Sequence, residues 1–266
     1  MSDFVSFALK LAEAARRETL GIGSGGAVDN KAGEGAFDPV TEADRNAERV
    51  MRGLIRAAYP DHGISGEEYG HEPGAGPYAW SLDPIDGTRS YICGLPTWTT
   101  LIALLDRDLP VLGVIDTPRL DEIYVGSEDG SWLRTGETRQ QLRVSGCTDL
   151  SEARVGTTDP FLFAGDALDR FRQLAIAART TRYGQDAYAY ARLAAGGIDL
   201  VVECGLKPHD YNALIPVVRG ASGTFGDWSG GSNFGAGNVI AAATRELYEA
   251  AVEIMTCANA AAEAHP

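Results

Sequence analysis

With 266 residues, 44% of them hydrophobic, the chain is long enough for one large domain or two small ones and too apolar for a disordered protein. Its formal net charge of −14 disfavours nucleic acid as a partner, because phosphate backbones are bound by Lys and Arg. The negative electrostatic field of such a chain attracts divalent cations and cationic organic molecules, although a requirement for solubility alone would explain the same net charge.

The four cysteines are far apart and form no C-x-x-C pair, which argues against a cysteine zinc site. The N-terminal residues lack a basic segment followed by an apolar run, and no stretch approaches the length of a membrane-spanning helix. We therefore expect a cytoplasmic protein with reduced cysteines and no membrane partner.

The first third of the chain is predicted to be mostly helical. Apolar residues recur at helical spacing over 3–19, and a glycine-rich loop follows over 21–35. A phosphate-binding role for this loop is disfavoured, because no strand precedes it and no Gly-Lys-Ser/Thr follows. A second helix is predicted to run to Ala58, with Thr41 as its N-cap and Asp44 three residues later, close to a capping box.

The remaining elements are predicted to begin as an antiparallel meander and then to alternate between strand and helix. Strands and helices together indicate an α/β fold, a layered sandwich. We expect strands at 78–82, 99–105, 111–116, 122–126, 153–156 and 198–203, and helices at 167–177, 187–195, 211–220 and 244–255.

The most informative segment carries two aspartates on one proline-stiffened turn, followed directly by a glycine–threonine pair: Asp83-Pro84-Ile85-Asp86-Gly87-Thr88. Magnesium prefers hard oxygen ligands, and the free N–H groups of a helix opened by the Gly-Thr pair suit a phosphate. A type I turn would explain the proline but not the paired carboxylates. The segment therefore predicts metal and phosphate side by side, as hydrolysis of a phosphate ester requires.

Three further acidic positions are candidates, and each also has a purely structural interpretation. Asp44 suits a capping side chain, Glu67 beside Glu68 suits a surface acid, and Asp210 suits the N-cap of a helix. Taken one at a time, the structural interpretation is favoured for each.

Taken together, these segments resemble the inositol monophosphatase family of metal-dependent, lithium-sensitive phosphatases. The matching segments occur in the family's order and spacing across nearly the whole chain: 38–44, 66–68, 80–88, 209–210 and 220–223. The resemblance implies an αβαβα layered sandwich, usually a homodimer. It also implies one phosphatase domain over 1–266, with a metal-binding part over about 1–145 and a substrate-specificity part over about 146–266.

The same resemblance implies a set of metal ligands. Glu67, Asp83 and the backbone carbonyl of Ile85 would hold a first Mg²⁺, and Asp83, Asp86 and Asp210 would hold a second. A third, weaker ion would lie near Glu67 and water. Mn²⁺ is expected as a substitute and Li⁺ as an inhibitor.

Catalytic and phosphate-binding roles are implied for the residues around these ligands. Thr88, with Asp44 behind it, would orient and deprotonate the attacking water, and Glu67 would act beside that water. The backbone N–H groups of Gly87 and Thr88 would hold the phosphate.

The second half of the chain resembles the histidinol-phosphate phosphatase branch of the family. Glu203 matches the substrate-binding glutamate of the inositol enzymes, whereas Asp186 falls where those enzymes carry a small residue. Inositol is neutral but histidinol carries an ammonium and an imidazole, so a second carboxylate favours histidinol. The structural alternative for Asp186 is the N-cap of a helix beginning at Ala187. Asn212 is expected as a weak polar contact at the pocket mouth.

His209 stands where the family usually has Trp. We expect it to change packing rather than to bind zinc, because the nearby donors are oxygens that suit harder ions.

The leading hypothesis is a Mg²⁺-dependent phosphomonoesterase that converts L-histidinol phosphate to histidinol and phosphate, a step of histidine biosynthesis. The enzymatic alternatives are phosphatases for inositol 1-phosphate, fructose 1,6-bisphosphate or 3′-phosphoadenosine 5′-phosphate. A catalytically inactive binding protein on the same fold is the alternative from another class. It is disfavoured because an inactive relative is expected to lack at least one member of the set that is intact here: Asp44, Glu67, Asp83, Asp86, Thr88 and Asp210.

Overall fold

The computed structural model describes residues 1–22, 28–31 and 39–256. Most of the glycine-rich loop predicted over 21–35 therefore lies outside the described residues. None of the described helices combines the length and apolar composition that a bilayer crossing needs. The helices are α1 Ser2–Ile22, α2 Glu42–Ala58, α3 Thr88–Ile92, α4 Asp166–Ala177, α5 Tyr188–Ala194, α6 Pro208–Tyr211, α7 Leu214–Gly220 and α8 Arg245–Thr256.

The described strands form a small hairpin and two larger sheets. They are β1 Val28–Asn30, β2 Pro39–Thr41, β3 Gly63–Gly66, β4 Gly70–Glu72, β5 Tyr78–Asp86, β6 Thr99–Asp106, β7 Leu109–Thr117, β8 Glu122–Ser127, β9 Gly130–Thr135, β10 Thr138–Gln141, β11 Arg154–Thr157, β12 Thr180–Tyr183, β13 Leu200–Glu203, β14 Thr224–Asp227 and β15 Val239–Ala242. The sheet orders are β1-β2, β10-β9-β8-β7-β6-β5-β3-β4 and β12-β11-β13-β15-β14. The predicted antiparallel meander is confirmed as β5 to β8 and continues to β10.

Three of the apolar clusters of the described residues hold the sheets and helices in five layers. Alternate side chains of a strand lie on opposite faces, so Ile102 and Leu104 of β6 pack towards α1 and α2, while Leu101 and Ala103 pack towards α5 and α7. The far sides of α5 and α7 contact the second sheet, whose other face packs on α4 and α8. This arrangement confirms the αβαβα sandwich.

The structure differs from the predicted elements mainly in short strands. The second sheet also contains the antiparallel pair of β14 and β15 and the edge strand β12, which the sequence patterns did not indicate. The helix predicted over 211–220 is instead two helices, α6 and α7. The capping box of α2 is confirmed, since Thr41 accepts a hydrogen bond from the Ala43 N–H and Asp44 accepts one from the Thr41 N–H.

Candidate metal and phosphate site

A β-bulge near the end of β5 places two aspartates together. Asp83 pairs with Leu101 and Asp86 with Thr99, so three steps along β5 face only two steps along β6. In a regular strand, residues three apart lie on opposite faces, and the extra residue of a bulge removes that separation. The sequence predicted a turn after Leu82, but the strand continues to Asp86 and the irregularity is this bulge.

Asp210 completes a cluster of three carboxylates with the two aspartates of β5. One carboxylate oxygen from each of Asp83, Asp86 and Asp210 lies within 4.8 Å of the others. Asp210 is the third residue of α6, where its Oδ2 accepts a hydrogen bond from the Lys207 N–H at 2.7 Å. It is therefore not an N-cap, and its carboxylate is fixed at a spacing that can hold a cation.

A second cluster shares Asp83 and adds Glu67 and His209, again with one ligand atom each within 4.8 Å. His209 was expected only to change packing, but the structure places its ring beside the carboxylates of this cluster. The His209 Nε2 lies 3.5 Å from Asp210 Oδ1. No sequence pattern indicates this position, since only the fold brings α6 against the turn after β3.

Buried Glu48 of α2 holds the turn that carries Glu67. Its carboxylate accepts hydrogen bonds from the backbone N–H groups of Glu68 and Tyr69, and Arg52 neutralises it with a 2.7 Å ion pair. Gly66 is required beside it, because a Cβ there would lie 2.2 Å from Glu48 Oε1. Glu48 was not among the predicted site residues, since on sequence it is one acid of an amphipathic helix.

Asp44 presents one buried oxygen that has no partner. Its Oδ2 accepts from both the backbone N–H and the hydroxyl of Thr41, at 2.8 and 2.5 Å. Its Oδ1 is buried without a hydrogen-bond partner among the described residues. A buried carboxylate oxygen left in this way indicates a missing ligand such as a cation or water.

The turn after β5 contains the Gly87–Thr88 pair of the predicted phosphate site. Gly87 adopts a left-handed φ of 79° directly before α3, and a Cβ there would lie 2.7 Å from Asp186 Oδ2. Glycine is therefore needed for both conformation and space. The Thr88 hydroxyl donates to the Ile85 carbonyl at 3.0 Å, across the bulge.

Lys31 supplies positive charge to this acidic region. Its ammonium lies 2.8 Å from Glu67 Oε1 and 2.9 Å from Glu68 Oε1. These contacts raise the pKa of Lys31 above its ordinary value, against the opposing effect of burial. Lys31 was not among the predicted site residues.

The carboxylates repel one another strongly in the absence of a cation. Burial, followed by the charge of Glu67, raises the pKa of Asp83 well above its usual range, and burial followed by Asp186 does the same for Asp86. Burial also raises the pKa of Asp210 and brings that of Asp44 to about 6. A bound cation would reduce the free-energy cost of holding these carboxylates ionised in the folded protein.

This electrostatic cost predicts a pH dependence of stability. Burial raises the pKa of Glu68 to about 7 and of Glu203 to about 8, whereas unfolded carboxyl groups titrate near about 4. The folded protein therefore binds more protons than the unfolded chain, and stability should fall as pH rises from about 5 to about 8. Urea unfolding in a metal chelator should show this slope, and excess Mg²⁺ should flatten it. A metal-free stability that rises over the same range would contradict the prediction.

The predicted substrate acids border the same cluster. Asp86, Asp210, Asp186 and Glu203 all line one narrow cavity of about 20 Å³, and Tyr190 lines it as well. Asp186 has a left-handed φ of 47°, and its Oδ2 accepts a hydrogen bond from the Ser90 hydroxyl at 3.1 Å. It makes no capping hydrogen bond to α5, so the N-cap alternative is not what the structure shows.

Glu203 is almost completely buried at the end of β13. Its carboxylate accepts hydrogen bonds from the Thr158 N–H at 2.6 Å, the Thr158 hydroxyl at 2.9 Å and the Thr157 hydroxyl at 3.2 Å. These contacts hold one carboxylate at a fixed place in the cavity wall.

Asn212 lies elsewhere than predicted. It is buried, and its Nδ2 donates to the Ser81 hydroxyl of β5 at 3.2 Å. The side chain thus joins the segment between α6 and α7 to the first sheet, because a buried amide needs a polar partner. This placement corrects the expectation of a contact at the pocket mouth.

A larger cavity, of about 540 Å³, lies where Tyr78 and Asp106 of the first sheet meet Pro216 and Arg219 of α7. Neither of the two possible ligand clusters of the described chain borders it. Its volume alone therefore does not make it the better candidate for the chemistry.

Comparison with known proteins agrees with this geometry. A model of the inositol monophosphatase family matches residues 2–260. The chain is 41% identical over 231 residues to the bifunctional phosphatase IMPL2, chloroplastic, of Arabidopsis thaliana, an alignment that covers 82% of this chain and 65%, just under two thirds, of that protein. It is 36% identical over 193 residues to a histidinol-phosphatase of Chlorobaculum parvum, covering 72% of this chain and 73% of that protein.

The fold is similar to a solved inositol monophosphatase from Zymomonas mobilis, with a TM-score of 0.84 and 36% sequence identity. The superposition covers 96% of this chain and 98% of that chain.

Proposed function

Because the chain belongs to the inositol monophosphatase family of phosphatases, whose enzymes are metal-dependent, we propose that it is a Mg²⁺-dependent phosphomonoesterase acting on L-histidinol phosphate. The observation that carries the proposal is the cluster of Asp83, Asp86 and Asp210, of which Asp86 and Asp210 line the same cavity as Asp186 and Glu203. The first group suits a divalent cation and the second suits a cationic alcohol.

The donor set fits magnesium ions. Carboxylate oxygens and a backbone carbonyl are hard ligands, and the unpartnered Asp44 Oδ1 marks a further place for a cation or its water. We assign Glu67, Asp83 and the Ile85 carbonyl to one ion, and Asp83, Asp86 and Asp210 to another. When bound, these ions lower the pKa of water and neutralise the phosphate and the departing alkoxide.

The protein's own groups position the reactants. We assign Thr88 and Asp44 to the attacking water, because Asp44 Oδ1 is buried without a hydrogen-bond partner among the described residues and can accept a proton. Glu67 borders the same region, and the backbone N–H groups of Gly87 and Thr88 are assigned to the phosphate. The two regions of the chain have different roles in this scheme. The region over about 1–145 carries most of the metal ligands, and the region over about 146–266 carries Asp210 and the substrate contacts.

The choice of substrate rests on charge. A neutral polyol needs only hydrogen bonds, whereas the buried carboxylate of Glu203 and the half-buried carboxylate of Asp186, which line one cavity, favour a positive partner. Asp186 adds a second carboxylate to that of Glu203, and we assign Asp186 to the ammonium group of histidinol. The similarity to the Chlorobaculum parvum histidinol-phosphatase supports the same substrate.

The test is phosphate release from histidinol phosphate and inositol 1-phosphate, each with excess Mg²⁺ and with a chelator. Fructose 1,6-bisphosphate and 3′-phosphoadenosine 5′-phosphate complete the panel. We expect metal-dependent turnover, with the highest kcat/KM for histidinol phosphate. A higher kcat/KM for inositol 1-phosphate would replace the proposed substrate by the main alternative. No turnover of any ester with metal would favour the binding-protein alternative.

We also propose that the chain forms a homodimer. Phe161 and Ile176 are more than four-fifths exposed, and with Tyr183 they line one apolar surface beside β12, an edge strand of the second sheet. Exposed apolar patches of this kind mark interfaces, and light scattering should give about twice the 28.2 kDa chain mass. Ile176→Ser should shift the protein to monomer, and Leu109→Ser, which alters an exposed leucine of β7, should not. A monomeric wild type would disprove the dimer.

A further inference from the structure

The hydroxyl of Tyr190, a residue that lines the proposed substrate cavity, is buried and has no hydrogen-bond partner in the described part of the chain. The side chain is 1% exposed, and its oxygen makes no hydrogen bond to any described residue. Burying a hydroxyl unsatisfied costs free energy, so a group of this kind in a cavity indicates a ligand that completes it. Neither the metal scheme nor the proposed phosphate contacts use this hydroxyl.

The polar surroundings of this hydroxyl are almost entirely hydrogen-bond acceptors. The ionisable side chains that share the cavity are carboxylates: Asp86, Asp186, Glu203 and Asp210. The one other side-chain hydroxyl in the wall, that of Thr158, already donates to Glu203. Among the side chains lining this cavity, Tyr190 therefore carries the proton donor that is still free.

The local structure keeps this donor in place and protonated. Tyr190 lies on the first turn of α5, four residues after Asp186, and its ring packs 6.0 Å from that of Phe225. Burial, followed by the charge of Glu203, raises the pKa of the phenol well above its ordinary value, so the group donates rather than accepts. The cavity of about 20 Å³ beside it has room only for a group of about the size of one water, so it admits one acceptor atom of a larger ligand rather than a whole ring.

We propose that Tyr190 is a specificity-determining residue that donates a hydrogen bond to the unprotonated imidazole nitrogen of the substrate. The inference rests on the proposed function and deepens it. Carboxylates can bind the ammonium and the imidazole N–H, but they cannot satisfy the second ring nitrogen, which is an acceptor. One hydroxyl among four carboxylates supplies the complementary donor.

The test compares two substrates in two proteins. Histidinol phosphate and phenylalaninol phosphate share the ammonium and the phosphate ester, but only the first has an acceptor nitrogen in its ring. Tyr190→Phe should lower kcat/KM for histidinol phosphate about tenfold, mostly through KM, as the loss of one hydrogen bond implies. The same variant should leave kcat/KM for phenylalaninol phosphate nearly unchanged.

Tyr248→Phe is the matched control. It removes a buried hydroxyl that donates to the Asp227 carbonyl, outside the cavity, so it should lower the melting temperature without changing the ratio of the two substrates. Equal losses of kcat/KM on both substrates in Tyr190→Phe, or no loss on either, would overturn the inference.

The result also separates this inference from the proposed function. If the wild type prefers inositol 1-phosphate to histidinol phosphate, the proposed function fails. If the wild type prefers histidinol phosphate and Tyr190→Phe keeps its full preference over phenylalaninol phosphate, only the role of Tyr190 fails.

Discussion

Asp83→Asn is expected to abolish phosphate release from every ester, with a loss in kcat of at least about 1000-fold. Asp83 belongs to both possible ligand clusters of the described chain, with Glu67 and His209 in one and with Asp86 and Asp210 in the other. The amide keeps the shape of the side chain but removes the negative charge from both proposed ions at once. Phosphate release with excess Mg²⁺ measures the loss.

Folding of the variant can be checked separately. In the metal-free protein the buried Asp83 carboxylate is repelled by Glu67 and Asp86, so Asp83→Asn should melt at the same or a higher temperature than the wild type. The melting temperature of the wild type should rise with Mg²⁺ and that of the variant should not, because the ligand of the folded state is lost.

Asp106→Asn is the matched control for Asp83→Asn. Asp106 pairs with Tyr78 at the opposite end of the β5–β6 ladder, so the same chemical change is made in the same sheet away from the ligand clusters. Its turnover should stay near that of the wild type. Turnover by Asp83→Asn within tenfold of the control would refute the two-ion scheme.

The parts of the site that the sequence predicted are those that local chemistry determines. The capping box of Thr41 and Asp44 is complete within four residues, and Gly87 with Thr88 opens a helix as the turn chemistry predicts. The layered sandwich was also predictable, since the periodicity of apolar residues in the sequence indicates the order of strands and helices. The family resemblance added the expectation that acids far apart in the sequence, such as Asp83 and Asp210, converge.

The remaining parts depend on tertiary contacts that no short pattern records. The bulge that aligns Asp83 with Asp86 is visible only as a register shift against β6, and the motif was predicted as a turn. Glu48 looks like one polar residue of a helix, although it holds the turn bearing Glu67 from 20 positions away. The free hydroxyl of Tyr190 is defined by the absence of a partner among its folded neighbours, which a sequence does not contain.

A selective loss of histidinol phosphate turnover is expected for Asp186→Asn. Asn tolerates the left-handed backbone of this position, where φ is 47°, and can still accept a hydrogen bond from the Ser90 hydroxyl. The change therefore removes mainly the charge. Loss of a charge-assisted contact to an ammonium lowers kcat/KM by about 10- to 100-fold, whereas a neutral polyol phosphate should lose little. The measurement is the ratio of kcat/KM for histidinol phosphate to that for inositol 1-phosphate.

Glu203→Gln provides the contrast that makes this result decisive. Glu203 is fixed by three hydrogen bonds from Thr157 and Thr158. The amide of Glu203→Gln would therefore disturb this network and weaken the binding of both substrates. Asp186 has one such bond in the described structure and is the carboxylate that we assign to the cationic substrate alone. Asp186→Asn should thus change the substrate ratio, and Glu203→Gln should mainly change the absolute rates. If Asp186→Asn lowers turnover of both esters equally, the charge at this position does not select the substrate, and the proposal of a cationic alcohol loses its main support.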